Sequence, residues 1–291
     1  MFKAFIARII RRVARIFAEE VAREMERTSS AEPSIQAPTA DQERVKLDVV
    51  DALAQLRSGS AKAELNEFFS MNHRWIAMLN ERNLRTARDT YDFIESEMTD
   101  AIFMLNQFTV VQSKSDLIME LNGEVLDLGV YKGGSTRALA RIFPDKTIHG
   151  FDSFEGLSGD WSYVLKGGFG DVQGSLPEVP GNVCLYKGWF DDTLPQWASE
   201  HTGHRISLLR IDCDIYSSTK TVFDELGHLI SSGTWILFDE LIGYPGWRQH
   251  EYKAFEEFLD SSSFGVEYVA YGLTYALIRL SEPTHLGGGR T

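Results

Sequence analysis

The chain has 291 residues, 43% of them apolar, with 42 acidic against 29 basic side chains and a formal net charge of −13. This length and apolar content exclude a disulfide-stapled miniprotein and a natively disordered chain, and they leave room for one catalytic core with an appendage. The acidic balance excludes a general nucleic-acid binder, because neutralising phosphates needs a basic surface.

In chain order, residues 1–27 stand apart, with seven Lys or Arg against four Asp or Glu. At helical spacing Phe2, Phe5, Ile6, Ile9, Ile10, Val13, Ile16 and Phe17 share one face, and Lys3, Arg8, Arg11, Arg12 and Arg15 the other. This basic amphipathic helix is too often interrupted by charge to span a bilayer and lacks the apolar run and cleavage site of a secretory signal. Two readings stay open: peripheral contact with an anionic membrane surface, or packing against protein, either the catalytic domain or a second copy. A homo-oligomer is expected.

Residues 28–41 are small, polar and proline-bearing, and read as a linker. From 42 to 105 the text is rich in Ala, Leu, Glu and Arg, which predicts a helical lead-in of two or three helices. Within it the amphipathic run Asn72 to Arg88 reads either as a roof over a site or as a plain packing helix. The core is expected over 106–281, with 282–291 as a flexible tail.

Short β-rich runs follow at Glu124–Leu128, Thr147–Phe151, Val183–Lys187, Ile206–Ile211, Thr234–Phe238, Val266–Tyr271 and Tyr275–Leu280. The first five alternate with helical text, which predicts parallel strands joined by right-handed crossovers. The last two flank Gly272 closely and predict an antiparallel hairpin. The fold class is therefore α/β, a doubly wound sheet of seven strands, five parallel plus a C-terminal antiparallel hairpin, with an N-terminal helical extension. Ligands of such sheets sit beyond the carboxyl ends of the strands.

The first strand runs into a turn carrying Gly129, Tyr131, Gly133, Ser135 and Thr136, where a helix begins and offers free N–H groups. Its G-x-x-x-G-G spacing is not the G-x-G-x-x-G of NAD sites, which lowers an oxidoreductase reading. The second strand ends at Asp152 and Ser153, twenty-three positions after Gly129, where a carboxylate can accept from the hydroxyls of a ribose. After the third strand come Gly188, Trp189, Asp191 and Asp192: the aromatic can pack on an adenine, and either aspartate can take its amine or cap the next helix. A long glycine-rich loop, Ser158 to Leu176, is a candidate lid.

The fourth strand, ISLLRI, runs straight into Asp212-Cys213-Asp214, and the fifth, TWILF, into Asp239-Glu240. Acids at the ends of buried adjacent strands are costly unless a cation matches them, so four of them suggest a hard divalent ion, Mg²⁺ or a substitute; the plainer reading is polar strand termini. The two cysteines, Cys184 and Cys213, are too few for a disulfide framework and lack metal-site spacing. Both are expected in the core of a protein of the reducing cytoplasm, with the inner face of the membrane as the peripheral alternative.

The ordered set LDLGVYKGGST, HGFDSFEGL, KGWFDDTLP, RIDCDIYSSTKT, ILFDE and GWRQHEYKAFEEF, spanning roughly 105–280, resembles the macrocin O-methyltransferase family of metal-dependent sugar methyltransferases. The resemblance implies the class I methyltransferase fold, with S-adenosyl-L-methionine and Mg²⁺ as cofactors and a sugar or glycan acceptor. It implies Asp212, Asp239 and Glu240 as metal ligands, with Glu240 where relatives often have a second aspartate, and Asp214 as general base. The cofactor set it implies is Gly129, Tyr131, Gly133, Ser135 and Thr136 with Asp152 on the ribose; Ser153, Gly188, Trp189, Asp191 and Asp212 stand beside these as further candidate cofactor-binding residues. His250 reads either as facing the acceptor pocket or as a surface histidine. Two adjacent hydroxyls can chelate a metal, which favours a vicinal diol. A membrane-associated scaffold with a non-catalytic nucleotide-binding fold and an NAD-dependent oxidoreductase are the alternatives. The intact glycine turn, Asp152 and the acid cluster speak against the first, and the lack of a Tyr-x-x-x-Lys site against the second.

Overall fold

The computed structural model describes residues 59–161 and 164–282, with side chains from residue 77 onward. The expected basic helix over 1–27, the linker over 28–41 and the tail beyond 282 lie outside the described residues. Among the described residues no helix is long and apolar enough to cross a membrane.

Among the described residues the lead-in is one helix, α1 (Gly59–Glu97); residues 42–58 of it lie outside them. From residue 60 to 97 the text contains no Gly or Pro, so nothing in it ends a helix. In the Asn72 to Arg88 run the side chains from 78 to 88 are almost all exposed and none of these lines the cavity described below; those from 72 to 76 lie outside the described side chains. The packing residues come later. Phe93 is buried with its ring centroid 5.2 Å from that of Trp247, and Asp89 accepts from Arg248 at 3.0 Å.

The chain then enters β1 (Ile102–Phe103), α2 (Gln107–Ser113), α3 (Ser115–Met119) and β2 (Glu124–Leu128). Next come α4 (Gly134–Ile142), β3 (Ile148–Asp152), β4 (Val183–Lys187), α5 (Phe190–Glu200), β5 (Ile206–Ile211), α6 (Tyr216–Leu226) and β6 (Trp235–Phe238). The last elements are α7 (Glu251–Ser262), β7 (Gly265–Tyr271) and β8 (Ala276–Ser281). The sheet order is β1-β7-β8-β6-β5-β2-β3-β4, with β8 antiparallel to both β6 and β7 and every other pair parallel. The five parallel strands and terminal hairpin thus form as the sequence predicts. The sheet has eight strands rather than seven, because Ile102 and Phe103 pair in parallel with Ala270 and Tyr271. Two residues are too few to show a period-two pattern.

Alternation along the strands divides the core into two layers. Val125, Ile148, Leu208, Leu237 and Leu277 pack under Val110, Val111, Ile118, Leu139 and Phe143 of α2, α3 and α4. Leu126, Phe151, Leu209, Ile236 and Ile278 point the other way, against Trp197 of α5, Phe223 of α6 and Phe255 of α7. Of the two cysteines expected in the core, Cys213 is buried but Cys184 is exposed; it sits on β4, the edge strand, where one face of the pleat meets solvent.

From β2 the chain winds outward to β3 and β4, then returns to the opposite side of β2 with β5 and β6. The crossover direction reverses between β2 and β5, so the loops leaving these two strands diverge and open a crevice at their carboxyl ends.

Candidate active site

Ladder hydrogen bonds continue past the strand ends and fix where each loop starts. Gly129 N donates to Phe151 O at 2.9 Å, Asp212 N to Leu128 O at 2.8 Å, Asp239 N to Ile211 O at 2.9 Å and Gly188 N to Asp152 O at 3.0 Å. Gly129 has a φ of 103°, and a Cβ there would lie 1.7 Å from the carbonyl oxygen of Asp212. Only glycine lets the turn after β2 pass this close to the loop after β5.

These loops surround one cavity of about 420 Å³. Gly129, Tyr131, Asp152, Ser153, Gly188, Trp189, Asp191, Asp212, Asp214, Asp239 and Glu240, all singled out from the sequence, line it. Gly133, Ser135 and Thr136 do not. Thr136 is fully buried and donates to Asp127 at 2.6 Å, and Ser135 donates to the same oxygen at 3.1 Å, so these hydroxyls turn back into the sheet. Asp127, buried on β2, is the acceptor the sequence reading overlooked.

At one end, Asp152 accepts from Tyr131 N at 2.7 Å and from Phe154 N at 2.6 Å, one bond per carboxylate oxygen. A second lone pair on each oxygen remains for a diol. Burial raises its pKa, against the pull of those backbone donors. The two aspartates after β4 are placed differently. Trp189 caps α5 without a side-chain hydrogen bond, Asp191 lines the cavity and accepts from Thr221 at 2.9 Å, and Asp192 lies off the wall.

At the other end the acids converge. Ligand-capable oxygens of Asp212, Asp214 and Glu240 all lie within 4.8 Å of one another. Asp239 adjoins them, but its Oδ1 accepts from both Gln107 and Arg210. Arg210, fully buried on β5, is the internal counter-ion that sequence reading missed. Its guanidinium donates to Asp127 at 2.9 Å, Asp212 at 2.6 Å and Asp239 at 2.7 Å. The clue was present: a charge in the apolar run ISLLRI must find a partner. Glu251, first residue of α7 and fully buried, was also missed, because an acid at a helix start is ordinary.

One guanidinium does not balance this set. Burial, reinforced by Asp239, pushes the Asp214 carboxyl up to about 7. Burial pushes Asp212 up to about 8 against the pull of Arg210, with Asp239 and Asp214 adding to the rise. Burial and the neighbouring acids drive Glu240 and Glu251 far above the carboxylate range. Of these acids Asp239 alone is held below its ordinary value: burial is the largest influence on it, but Arg210, Glu240 and Gln107 together outweigh it. Such a group takes up either protons or a cation. The donors are all hard oxygens and Glu240 Oε2 is buried without a hydrogen-bond partner, so the residues fit a divalent ion of the Mg²⁺ type. Asp214 has a φ of 62°, a left-handed conformation rare outside glycine, here at the centre of the cluster.

The segment after β3 closes one wall with Leu157, Ser158, Trp161 and Phe169. It folds back through Leu157 N to Gly168 O and Gly167 N to Leu157 O, both 2.9 Å. Asp171 ties it to the turn after β2, accepting from Tyr131 Oη at 2.6 Å and Lys132 Nζ at 2.7 Å. His250 is half-buried off the cavity wall, its ring centroid 6.1 Å from that of Tyr244.

The resemblance seen in the sequence is borne out over residues 179–262, which match the family model Macrocin-O-methyltransferase (TylF). The chain is 30% identical over 141 residues to the 8-demethyl-8-(2,3-dimethoxy-alpha-L-rhamnosyl)-tetracenomycin-C 4'-O-methyltransferase of Streptomyces olivaceus, covering 40% of this chain and 52% of the relative. It is 27% identical over 158 residues to the mycinamicin III 3''-O-methyltransferase of Micromonospora griseorubida, covering 45% and 60%. The chain thus spans little more than half the length of these curated relatives. Among solved structures, the calicheamicin methyltransferase CalS11 superposes with a TM-score of 0.50 at 18% identity, over 86% of this chain and 99% of that one. That likeness shows the fold, which is the class I methyltransferase fold.

Proposed function

We propose that this chain is an S-adenosyl-L-methionine-dependent, divalent-metal-assisted O-methyltransferase acting on a hydroxyl of a sugar or glycosylated acceptor. One observation carries the reading. A single cavity joins a nucleoside-type end, with Asp152, Trp189 and Asp191, to a carboxylate end, with Asp212, Asp214 and Glu240. An NAD site needs the first end but has no use for the second. The names of the curated relatives, a rhamnosyl 4'-O-methyltransferase and a 3''-O-methyltransferase of mycinamicin III, support a sugar as acceptor.

When bound, the cofactor supplies an already activated sulfonium methyl, and the metal lowers the pKa of a coordinated hydroxyl. The chain does the rest by position. The Gly129 turn, Asp152 and Asp191 hold the nucleoside, and Trp189, 40% exposed at the cavity rim, offers a face for the adenine. Asp212, Asp239 and Glu240 hold the metal, with Arg210 keeping Asp212 and Asp239 in place. Asp214 is the base. It would receive the acceptor's hydroxyl proton as that oxygen is methylated.

The test is transfer of labelled methyl from S-adenosyl-L-methionine to fractionated cell extracts and to free glycosides, with Mg²⁺ and with EDTA. Label on a glycoside in Mg²⁺, lost in EDTA, is expected. No transfer to any fraction in Mg²⁺, or transfer undiminished by EDTA, would overturn the reading.

A further inference from the structure

Glu251 has no place in the chemistry above, yet it is fully buried one layer behind the acid cluster. Its Oε1 accepts from the backbone N–H of Cys213 at 3.3 Å, and its Oε2 from that of Glu240 at 3.3 Å. The first N–H lies between Asp212 and Asp214 on the loop after β5. The second lies beside Asp239 on the loop after β6. One carboxylate therefore spans both loops that carry the acids.

We infer that Glu251 is a positioning residue that braces these two loops at the spacing a divalent cation requires. The inference rests on the metal reading above. Packing does not explain the residue, since an apolar side chain of similar size would fill the same space without the cost of burying a carboxyl group beside four other acids. Nor does it line the cavity, so it acts through the backbone of Cys213 and Glu240 rather than on a ligand. Its mount is rigid. It is the first residue of the twelve-residue α7, whose N-terminal dipole favours an acid, and Ala254, Phe255, Phe258 and Leu259 anchor that helix in the core. The loop it holds after β5 also contains the left-handed Asp214, a conformation that persists only when its surroundings fix it. Partners that orient ligands from behind are a general requirement of metal sites.

The experiment is titration of the full chain with Mn²⁺, followed by electron paramagnetic resonance of the free ion, beside calorimetric titration with S-adenosyl-L-methionine. Glu251→Gln keeps the shape but loses one of the two acceptors. Glu251→Asp keeps both carboxyl oxygens but is one methylene too short to reach both loops. Both variants are expected to lose about tenfold or more in Mn²⁺ affinity, with cofactor affinity within about twofold of the unsubstituted chain. Should Glu251→Gln not fold, Glu251→Asp carries the same test. Wild-type Mn²⁺ affinity in a folded variant, or equal loss of Mn²⁺ and cofactor binding, would overturn the bracing role alone. No Mn²⁺ binding by the unsubstituted chain would overturn the metal reading, and this inference with it.

Discussion

Arg210 and Asp127 stand opposite each other on the parallel strands β5 and β2 and are joined by an ion pair of 2.9 Å with both side chains almost wholly out of water. Asp127 also accepts hydrogen bonds from the hydroxyls of Ser135 and Thr136, while Arg210 reaches on to Asp212 and Asp239. The turn after β2 and the acidic loops after β5 and β6 are therefore tied through one guanidinium. Replacing Arg210 by Met leaves three acids without their counter-ion, one of them fully buried. The expected loss of stability is about 3–5 kcal/mol. Arg210→Lys recovers part of it, because an ammonium keeps the charge but has no planar fork to reach three acceptors. Urea unfolding of the three proteins measures this, and a Met variant within about 1 kcal/mol of the unsubstituted chain would show that the pair is not structural.

The second expectation concerns the base. Asp214→Asn is close to isosteric and keeps an oxygen in the cluster, but it cannot take a proton. Turnover should fall by roughly 10²–10⁴-fold, the usual range for removing a general base. Cofactor affinity should stay within about twofold, since Asp214 lies at the carboxylate end of the cavity, away from Asp152 and Asp191. A variant that turns over normally would remove Asp214 from the mechanism.

What the sequence revealed of this site, and what it hid, follows from the range of the signal. Strands such as Val183–Lys187 and Ile206–Ile211 are short β-rich runs set between helical or loop segments, so their composition located them to the residue. The acids at their ends were legible because the strand-end rule says where ligands sit. Residues that act across the fold were not. Glu251 is 37 to 39 positions from Asp212 and Asp214 along the chain and reads like any first-turn acid until α7 is packed beneath the loops. Thr136 was misplaced for the same reason. Its position in a glycine turn suggested the ligand, whereas its acceptor, Asp127, lies inside the sheet.

The segment from Leu157 to Gly174 makes a third prediction. Tyr131 Oη and Lys132 Nζ both meet Asp171 near solvent, so this latch adds little to global stability. It joins the wall formed by Leu157, Trp161 and Phe169 to the turn that carries Gly129 and Tyr131. Asp171→Asn weakens both contacts, so KM for S-adenosyl-L-methionine should rise several-fold while the thermal midpoint stays put. A lowered midpoint with unchanged KM would make Asp171 a structural residue instead of part of a lid.

The last prediction lies at the opposite end of the strands. Glu124 accepts from His204 at 2.7 Å and pairs with His149 at 3.3 Å, and His149 in turn accepts from the Trp197 indole at 3.1 Å. The hydrogen bond from His149 is the main reason the Glu124 carboxyl is held down at about 2, with His204 adding to it against partial burial. A carboxyl whose pKa is lower folded than unfolded binds fewer protons in the native state. It adds stability that is fully present above the unfolded value, about 4.3 for Glu, and is lost as pH falls from there through about 2. Glu124→Gln cannot ionise and lacks this contribution at every pH. The difference in unfolding free energy between the two proteins should therefore shrink steadily as pH falls from 4.5 to 3. Paired urea titrations across that range measure it, and a gap that stays constant down to pH 3 would mean that the histidines do not hold the carboxylate ionised.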